Sequence, residues 1–488
     1  MPRRQMDQKI AVSVVFVAAM FMNIMDTTIV NVALPTIGRE FKVAADSIDT
    51  VAIGYLVSLA VFIPVSGWLG DRLGGRRVLL ASVVVFTVAS ALCGVAQNLA
   101  ELDAFRILQG VGGGMMVPVG MALLYRTFPP AERVRASSIL VIPTALAPAL
   151  GPVLGGLFVT ELSWRWVFYV NLPIGVAALI FGVLFLESHH TEGTGPLDVV
   201  GFLLSGAGLG LVMYGVSEGP FKGWGQPQII TTIAIGAVLL IAMVFVELRS
   251  STPLIDLRLF KDSLFRNANI VMGLGAMSFL GILFIVALFF QDGLGQSALQ
   301  SGLSTFPEAI GVMVGAQVVT RYLYPTLGPR RVMFMGLAAL TVVLALMSLI
   351  GTVGQLWWMR VLMFFLGYGM SHVFTSSQAA GFATISPADT ARASTLFNAQ
   401  RQLGGAIGVA VLSTFVAEIG PVAVRHGHLV PHLTAYHAAF LAAAGISALA
   451  ALASLQMDDE AAAATMVRRT GRKDRGGAPI GEPAVAAG

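Results

Sequence analysis

Stretches of about twenty apolar residues recur along almost the whole chain, and a water-soluble fold has nowhere to bury so many of them. A helix needs about 20 such residues to cross hydrocarbon, because it rises only ~1.5 Å per residue. In lipid every backbone N–H and C=O must also find a partner within the segment, which favours helices over other spanning structures. The stretches lie at about 10–35, 47–69, 78–97, 101–124, 136–159, 165–187 and 197–216, then 228–248, 267–290, 301–320, 332–351, 356–377, 393–417 and 434–456. This predicts fourteen spans. Charged residues are only 11% of the 488, so a conventional soluble core is excluded.

Lysine and arginine set the expected orientation. With the N-terminus inside, the inner loops and tail hold 22 basic residues and the outer loops five: Arg39, Lys42, Arg165, Lys222 and Arg425. The positive-inside rule then predicts that both ends are cytoplasmic, in a multi-pass protein of the cell's inner membrane. Arg3, Arg4 and Lys9 precede the first apolar stretch as in a signal peptide, yet no small-residue cleavage site follows, so that stretch is read as a retained span. The basic residues are scattered over loop ends rather than gathered on one face, which removes the motive for a nucleic-acid partner. The single cysteine, Cys93, leaves no intrachain disulfide and no cysteine-based metal cluster.

The two halves of the chain resemble each other. Leu73-Gly74-Gly75-Arg76-Arg77-Val78 returns 254 residues later as Leu327-Gly328-Pro329-Arg330-Arg331-Val332, and Arg106-Ile107-Leu108 returns at the same offset as Arg360-Val361-Leu362. Arg135-Ala136-Ser137-Ser138 is matched by Arg392-Ala393-Ser394-Thr395 at an offset of 257, which also aligns Gly151 with Gly408. The organisation read from this is a six-helix bundle at 1–190, an inserted helix pair at 191–250, a second six-helix bundle at 251–456 and a disordered tail at 457–488. An even number of crossings separates the halves, so they are parallel repeats about an axis along the membrane normal, with a substrate cavity expected between them.

Several segments resemble the major facilitator superfamily, and within it the fourteen-span drug:proton antiporter branch. Met25-Asp26-Thr27-Thr28-Ile29-Val30-Asn31-Val32-Ala33-Leu34-Pro35 is similar to that branch's "LDxTIVNVALP" signature. The loop Gly67-Trp68-Leu69-Gly70-Asp71-Arg72-Leu73-Gly74-Gly75-Arg76-Arg77 resembles the superfamily's "GxLaDrxGrk" loop, although Gly75 replaces a usual basic residue. Arg106 to Gly112 resembles "RxxQGxG", and Gly151-Pro152-Val153-Leu154-Gly155-Gly156 resembles the "GPxxGG" antiporter motif. Upstream of the latter, Pro143, Ala147 and Pro148 stand where exporters often carry glycine. Trp164 to Pro173 resembles the "WRWxFxxNxP" entry to span 6. The resemblance covers most of residues 10–456 and implies proton-driven export by a functional monomer.

A carboxylate in hydrocarbon costs about 2.5–3.5 kcal/mol or more, so Asp26 is the first candidate for a proton-coupling group. Arg106 falls at a similar depth and is its natural partner; as a permanent cation it tunes the acid rather than relaying the proton. Bracing of a neighbouring helix by Asp26, and an Arg106 that reaches outward to water, stay open as alternatives. Glu308 is a second membrane acid whose repeat mate is Gly54, which sets it apart from the shared scaffold; it is expected to face the central cavity and to join proton coupling or bind a cationic substrate, with a structural role as the alternative. Asn31, Gln109, His372, Asn398 and Arg401 are candidate cavity residues. His372 has an equally good reading as a packing histidine. Gly67, Asp71, Arg72, Gly74 and Arg76 are assigned to gating through loop ion pairs, and Gly151, Pro152, Gly155 and Gly156 to close helix approach and bending.

No phosphate-cradling loop, nucleophile triad or paired catalytic carboxylates appears, so enzymatic and ATP-driven readings lack support. The expected partners are small-molecule substrates, protons and the bilayer, with no cofactor and no metal. The leading reading is proton-coupled multidrug efflux of lipophilic, cationic compounds. A dedicated exporter of one metabolite or antibiotic, and more remotely a non-transporting receptor or scaffold, are the alternatives.

Overall fold

The computed structural model describes residues 6–43, 45–187, 196–250, 253–425 and 428–466. Fourteen long helices follow one another: α1 Gln8–Phe41, α2 Thr50–Leu73, α3 Gly75–Val95, α4 Leu99–Thr127, α5 Arg133–Glu161, α6 Asn171–Phe185 and α7 Val199–Lys222. Then come α8 Pro227–Arg249, α9 Ser263–Leu288, α10 Ala298–Val318, α11 Tyr324–Met347, α12 Leu356–Gly381, α13 Thr390–Ile419 and α14 Leu433–Ser454. By length and apolarity twelve helical segments qualify as membrane spans; one of them, Leu299–Met347, is 49 residues long and contains both α10 and α11. α12 is not among the twelve: Ser371, His372, Thr375, Ser376, Ser377 and Gln378 make its C-terminal half polar. Span 6, expected as one stretch, is split into Trp166–Tyr169 and α6. Pro173 has no N–H to donate back to the carbonyl of Tyr169, which accounts for the break.

The sequence repeat reappears in the packing. Helix α1 packs on α5 as α9 packs on α13; α4 packs on α2 and α3 as α12 packs on α10 and α11; α6 packs on α1 and α3 as α14 packs on α9 and α11. Helices α7 and α8 pack on each other, and α7 also lies on α2 and α13, so the inserted pair flanks the seam between the bundles. The bundles meet through α5 on α10 and α12, and through α13 on α2 and α4.

Two faces can be distinguished. On one, here called the terminal face, Gln8 Nε2 donates to the Phe185 carbonyl and Lys9 pairs with Glu132 at 2.9 Å. Asn267 Nδ2 donates there to the Gln456 carbonyl at 2.7 Å. On the opposite face Arg165 pairs with Glu40 at 2.7 Å, and a two-stranded antiparallel hairpin, β1 Val422–Arg425 with β2 His428–Pro431, caps the loop before α14. Residues 457–466, expected to begin a disordered tail, are packed instead: Met457, Ala462 and Thr465 are buried, and Thr465 shares a 2.8 Å hydrogen bond with Tyr324. Residues 467–488 lie outside the described residues.

Candidate functional site

Asp26 sits near the middle of α1 and is completely buried. It points into the first bundle, where residues of α4 and α6 converge on it. Its Oδ2 pairs with Arg106 Nη1, while Oδ1 accepts from Gln109 Nε2 at 2.8 Å and from Asn171 Nδ2 at 3.2 Å. Arg106 and Gln109 are three apart on α4, so helical geometry sets both on one face, and Arg106 also donates to the Gln109 side-chain carbonyl at 2.7 Å. A further donation from Arg106 Nε reaches the Val51 carbonyl at 3.2 Å. The guanidinium lies 4.2 Å from the centre of the Tyr55 ring, where the ring's negative face meets the cation. Asn171 is held by Ser90 at 3.1 Å, and the Tyr55 hydroxyl accepts from Asn23 Nδ2 at 3.0 Å. Each charge therefore has several partners, which is the condition for tolerating an ion pair in a low-dielectric interior.

This arrangement brings together Asp26, Arg106 and Gln109. It also corrects one expectation: Gln109 is fully buried in the charge cluster with both ends of its amide engaged, so it does not line a substrate cavity. His372 is corrected likewise. Its Nδ1 meets the Tyr368 carbonyl at 2.8 Å, its ring lies 4.9 Å from that of Tyr368, and its Cβ lies against Gly336 of α11. That places it in the α11/α12 packing. Asn31 is exposed on the half of α1 nearer the opposite face. Glu308 is 3% exposed, has no hydrogen-bond or ion-pair partner among the described residues, and its backbone carbonyl abuts Gly367 of α12.

A small cavity does lie between the bundles. The first bundle contributes an apolar wall that includes Phe16, Met20 and Met121; the second contributes Gln378, Asn398 and Arg401. As closed here, about 10 Å³ is open to the centres of water molecules, room for roughly one water. Asn398 and Arg401 thus line this cavity, whereas Asp26 and Glu308 are not on its wall.

The motif loop lies in the contact between the bundles. Asp71 pairs with Arg126 at 2.7 Å, and Arg126 Nε reaches across to the Pro387 carbonyl at 3.1 Å. A side chain at Gly67 would meet Thr395 Oγ1 at 2.7 Å, which is why α2 and α13 can approach closely there. Gly74 has φ +88°, a conformation only glycine adopts freely, and makes the turn from α2 to α3. Arg76 donates to the Val183 carbonyl at 2.7 Å, within its own bundle, and Arg72 is exposed. Gly151 lies against Thr28, and Gly155 against Ile29 and Val32, so both let α5 approach α1. Gly156 does not: beyond its own stretch of helix no atom of the described residues stands within 4 Å of where its Cβ would be, which corrects its assignment to close packing. The side chain of Pro152 lies outside the described residues.

Residues not singled out beforehand complete these contacts. Arg133 donates to the Phe382 carbonyl, and Tyr125 stacks on the Phe382 ring at 4.5 Å, both between bundles. Asn171 was visible only as one letter of the span-6 motif; its position in a stretch otherwise apolar was the available signal. Asp459 accepts from the Arg330 backbone N–H at 2.9 Å beside Gly328, and no local pattern links positions 129 residues apart.

Two pseudo-equivalent helical bundles facing each other across a central cavity, with charges sealed inside the membrane-spanning region, define a multi-pass membrane transporter. The Major Facilitator Superfamily model matches residues 16–409, and the chain belongs to that family. "Multidrug resistance protein B homolog" of Mycobacterium tuberculosis is 33% identical over 82% of this chain and 75% of its own length. "Putative multidrug resistance protein MdtD" of Klebsiella pneumoniae strain 342 is 30% identical over 93% of this chain and 95% of its own. The crystal structure of the human organic anion transporter MFSD10 (TETRAN) superposes with a TM-score of 0.66 over 92% of this chain and all of that one; at 18% identity this is a likeness of fold.

Proposed function

We propose that the chain exports small lipophilic, chiefly cationic compounds in exchange for protons, by alternating access, as a fourteen-span monomer of the cell's inner membrane with both ends in the cytoplasm. The observation that carries this is the Asp26–Arg106 pair, completely buried in the first bundle and bound by Gln109 and Asn171. A proton arriving on Asp26 cancels half of that pair and leaves Arg106 without its counter-charge. The cluster then has to rearrange, and its members sit on α1, α4 and α6, so the whole bundle feels the change. Contacts of Arg126 and Arg133 with the Pro387 and Phe382 carbonyls tie the bundles together at the terminal face, and breaking them would open the cavity on that side. Relatives bearing multidrug-resistance names support export as the direction.

The count of fourteen takes α10 and α11 as separate crossings and includes α12, whose polar residues face neighbouring helices rather than lipid. Glu308, buried and unpartnered among the described residues, is assigned to the positive charge of a substrate or to a second proton. The deciding experiment is ethidium efflux from proteoliposomes under an imposed pH gradient. Asp26→Asn should abolish gradient-driven efflux, and Glu308→Gln should lower it about tenfold, the worth of one charged contact. Full pumping by Asp26→Asn would overturn the proposal.

A further inference from the structure

Buried arginines in this protein have acceptors. Arg106 has Asp26, Gln109 and the Val51 carbonyl; Arg133 has the Phe382 carbonyl. Arg401, half-buried, is the contrast. It lies twelve residues into α13 on the cavity wall, and among the described residues it has no ion pair and no hydrogen bond. A permanent cation in the membrane interior without an acceptor is costly, and such groups are retained for what they bind.

The surroundings specify the ligand. Phe397 and Asn398 sit one turn below Arg401 on the same face of α13, and Gln378 and Phe374 face them from α12. Among the described lining residues the polar groups come from the second bundle, while Phe16, Met20 and Met121 of the first bundle give the facing wall its apolar character. Among the described residues no acidic side chain lines the cavity to neutralise the guanidinium. A guanidinium presents paired donors that match the two oxygens of a planar oxyanion, and flanking amides can take a third acceptor.

We infer that Arg401 is a subsite for the carboxylate, or similar planar oxyanion, of an amphipathic aromatic compound whose ring lies against the first-bundle wall. The inference rests on the reading of the protein as a proton-driven exporter, and extends its substrates from cations to acids and zwitterions. As closed here the cavity has room for about one water, so the ligand enters only when the bundles part.

The test uses the full chain in proteoliposomes with a pH gradient, and three probes: coumarin-3-carboxylate, its neutral carboxamide, and ethidium. The parent should transport the carboxylate with a KM about tenfold below that of the carboxamide, the worth of one charge-assisted contact. Arg401→Gln should bring the ratio of the two KM values to about one, and Arg401→Lys should leave an intermediate ratio because an ammonium lacks the paired donors. The ratio is internal to each variant, so a lower yield of folded protein does not mimic the effect; should Arg401→Gln fail to fold, Arg401→Lys decides. A ratio unchanged by either substitution overturns the inference. So does a parent that moves ethidium but neither coumarin, and in that case the export reading survives. A parent that moves none of the three under the gradient overturns both.

Discussion

The two bundles share a packing scheme but treat charge in opposite ways. In the first, Asp26 and Arg106 are paired, bonded to Gln109 and Asn171, and sealed from solvent. In the second, Arg360 is the repeat mate of Arg106, but the position matching Asp26 is Leu280. Arg360 is left with two long contacts, both 3.4 Å, to the Ser304 hydroxyl. Glu308 has no described partner, and Arg401 is alone on the cavity wall. The first repeat thus holds a closed, fully partnered ion pair, the unit to which the proposal above gives the proton. The second holds its charges apart, and of them Arg401 is on the cavity wall. The motif loops differ too: Asp71 is matched by Pro325, and the carboxylate at the second loop comes instead from Asp459, far along the chain.

The contrast is most easily broken at the two arginines. Arg106→Ala strands Asp26 in the interior and should cost about 3–5 kcal/mol of stability, while Arg360→Ala should cost under about 1 kcal/mol. Thermal unfolding in detergent compares them directly, and equal losses would mean the bundles do not differ as described. A smaller effect separates the glycines of α5. Gly151→Ala drives a methyl group into Thr28 and should cost about 1–3 kcal/mol, as overpacking does. Gly156→Ala meets open space and should be neutral or gain up to about 1 kcal/mol from helix propensity.

Smaller again is the loss expected for Asp459→Ala. It removes the acceptor for the Arg330 N–H beside Gly328, whose φ of +77° interrupts α11, and an N-terminal capping acceptor is worth about 1 kcal/mol. Protease cleavage of residues 457–466 should accelerate in that variant; unchanged protection would show that the buried Met457, Ala462 and Thr465 suffice to hold the segment. Glu308→Gln should change stability least, within about 0.5 kcal/mol, because no described residue loses a partner. A large destabilisation there would place Glu308 in the scaffold and align the second bundle with the first.

A helical membrane protein, the course of most of its helices and an internal repeat can all be read from the amino-acid sequence without coordinates. Those properties follow from local hydrophobicity and from repeated letters, which need no knowledge of distant contacts. The sequence also singled out Asp26 and Arg106, since an ionised group in an apolar run is conspicuous whatever its neighbours. Tertiary structure alone decided which polar residues share a space. Gln109 went to the charge cluster rather than the cavity, His372 to helix packing, Gly156 to an open surface, and residues 457–466 to the loop that lacks its own acid. The physical reason is that an α-helix presents residues in all directions around its axis, so the facing of a side chain is fixed only when the neighbouring helices are in place.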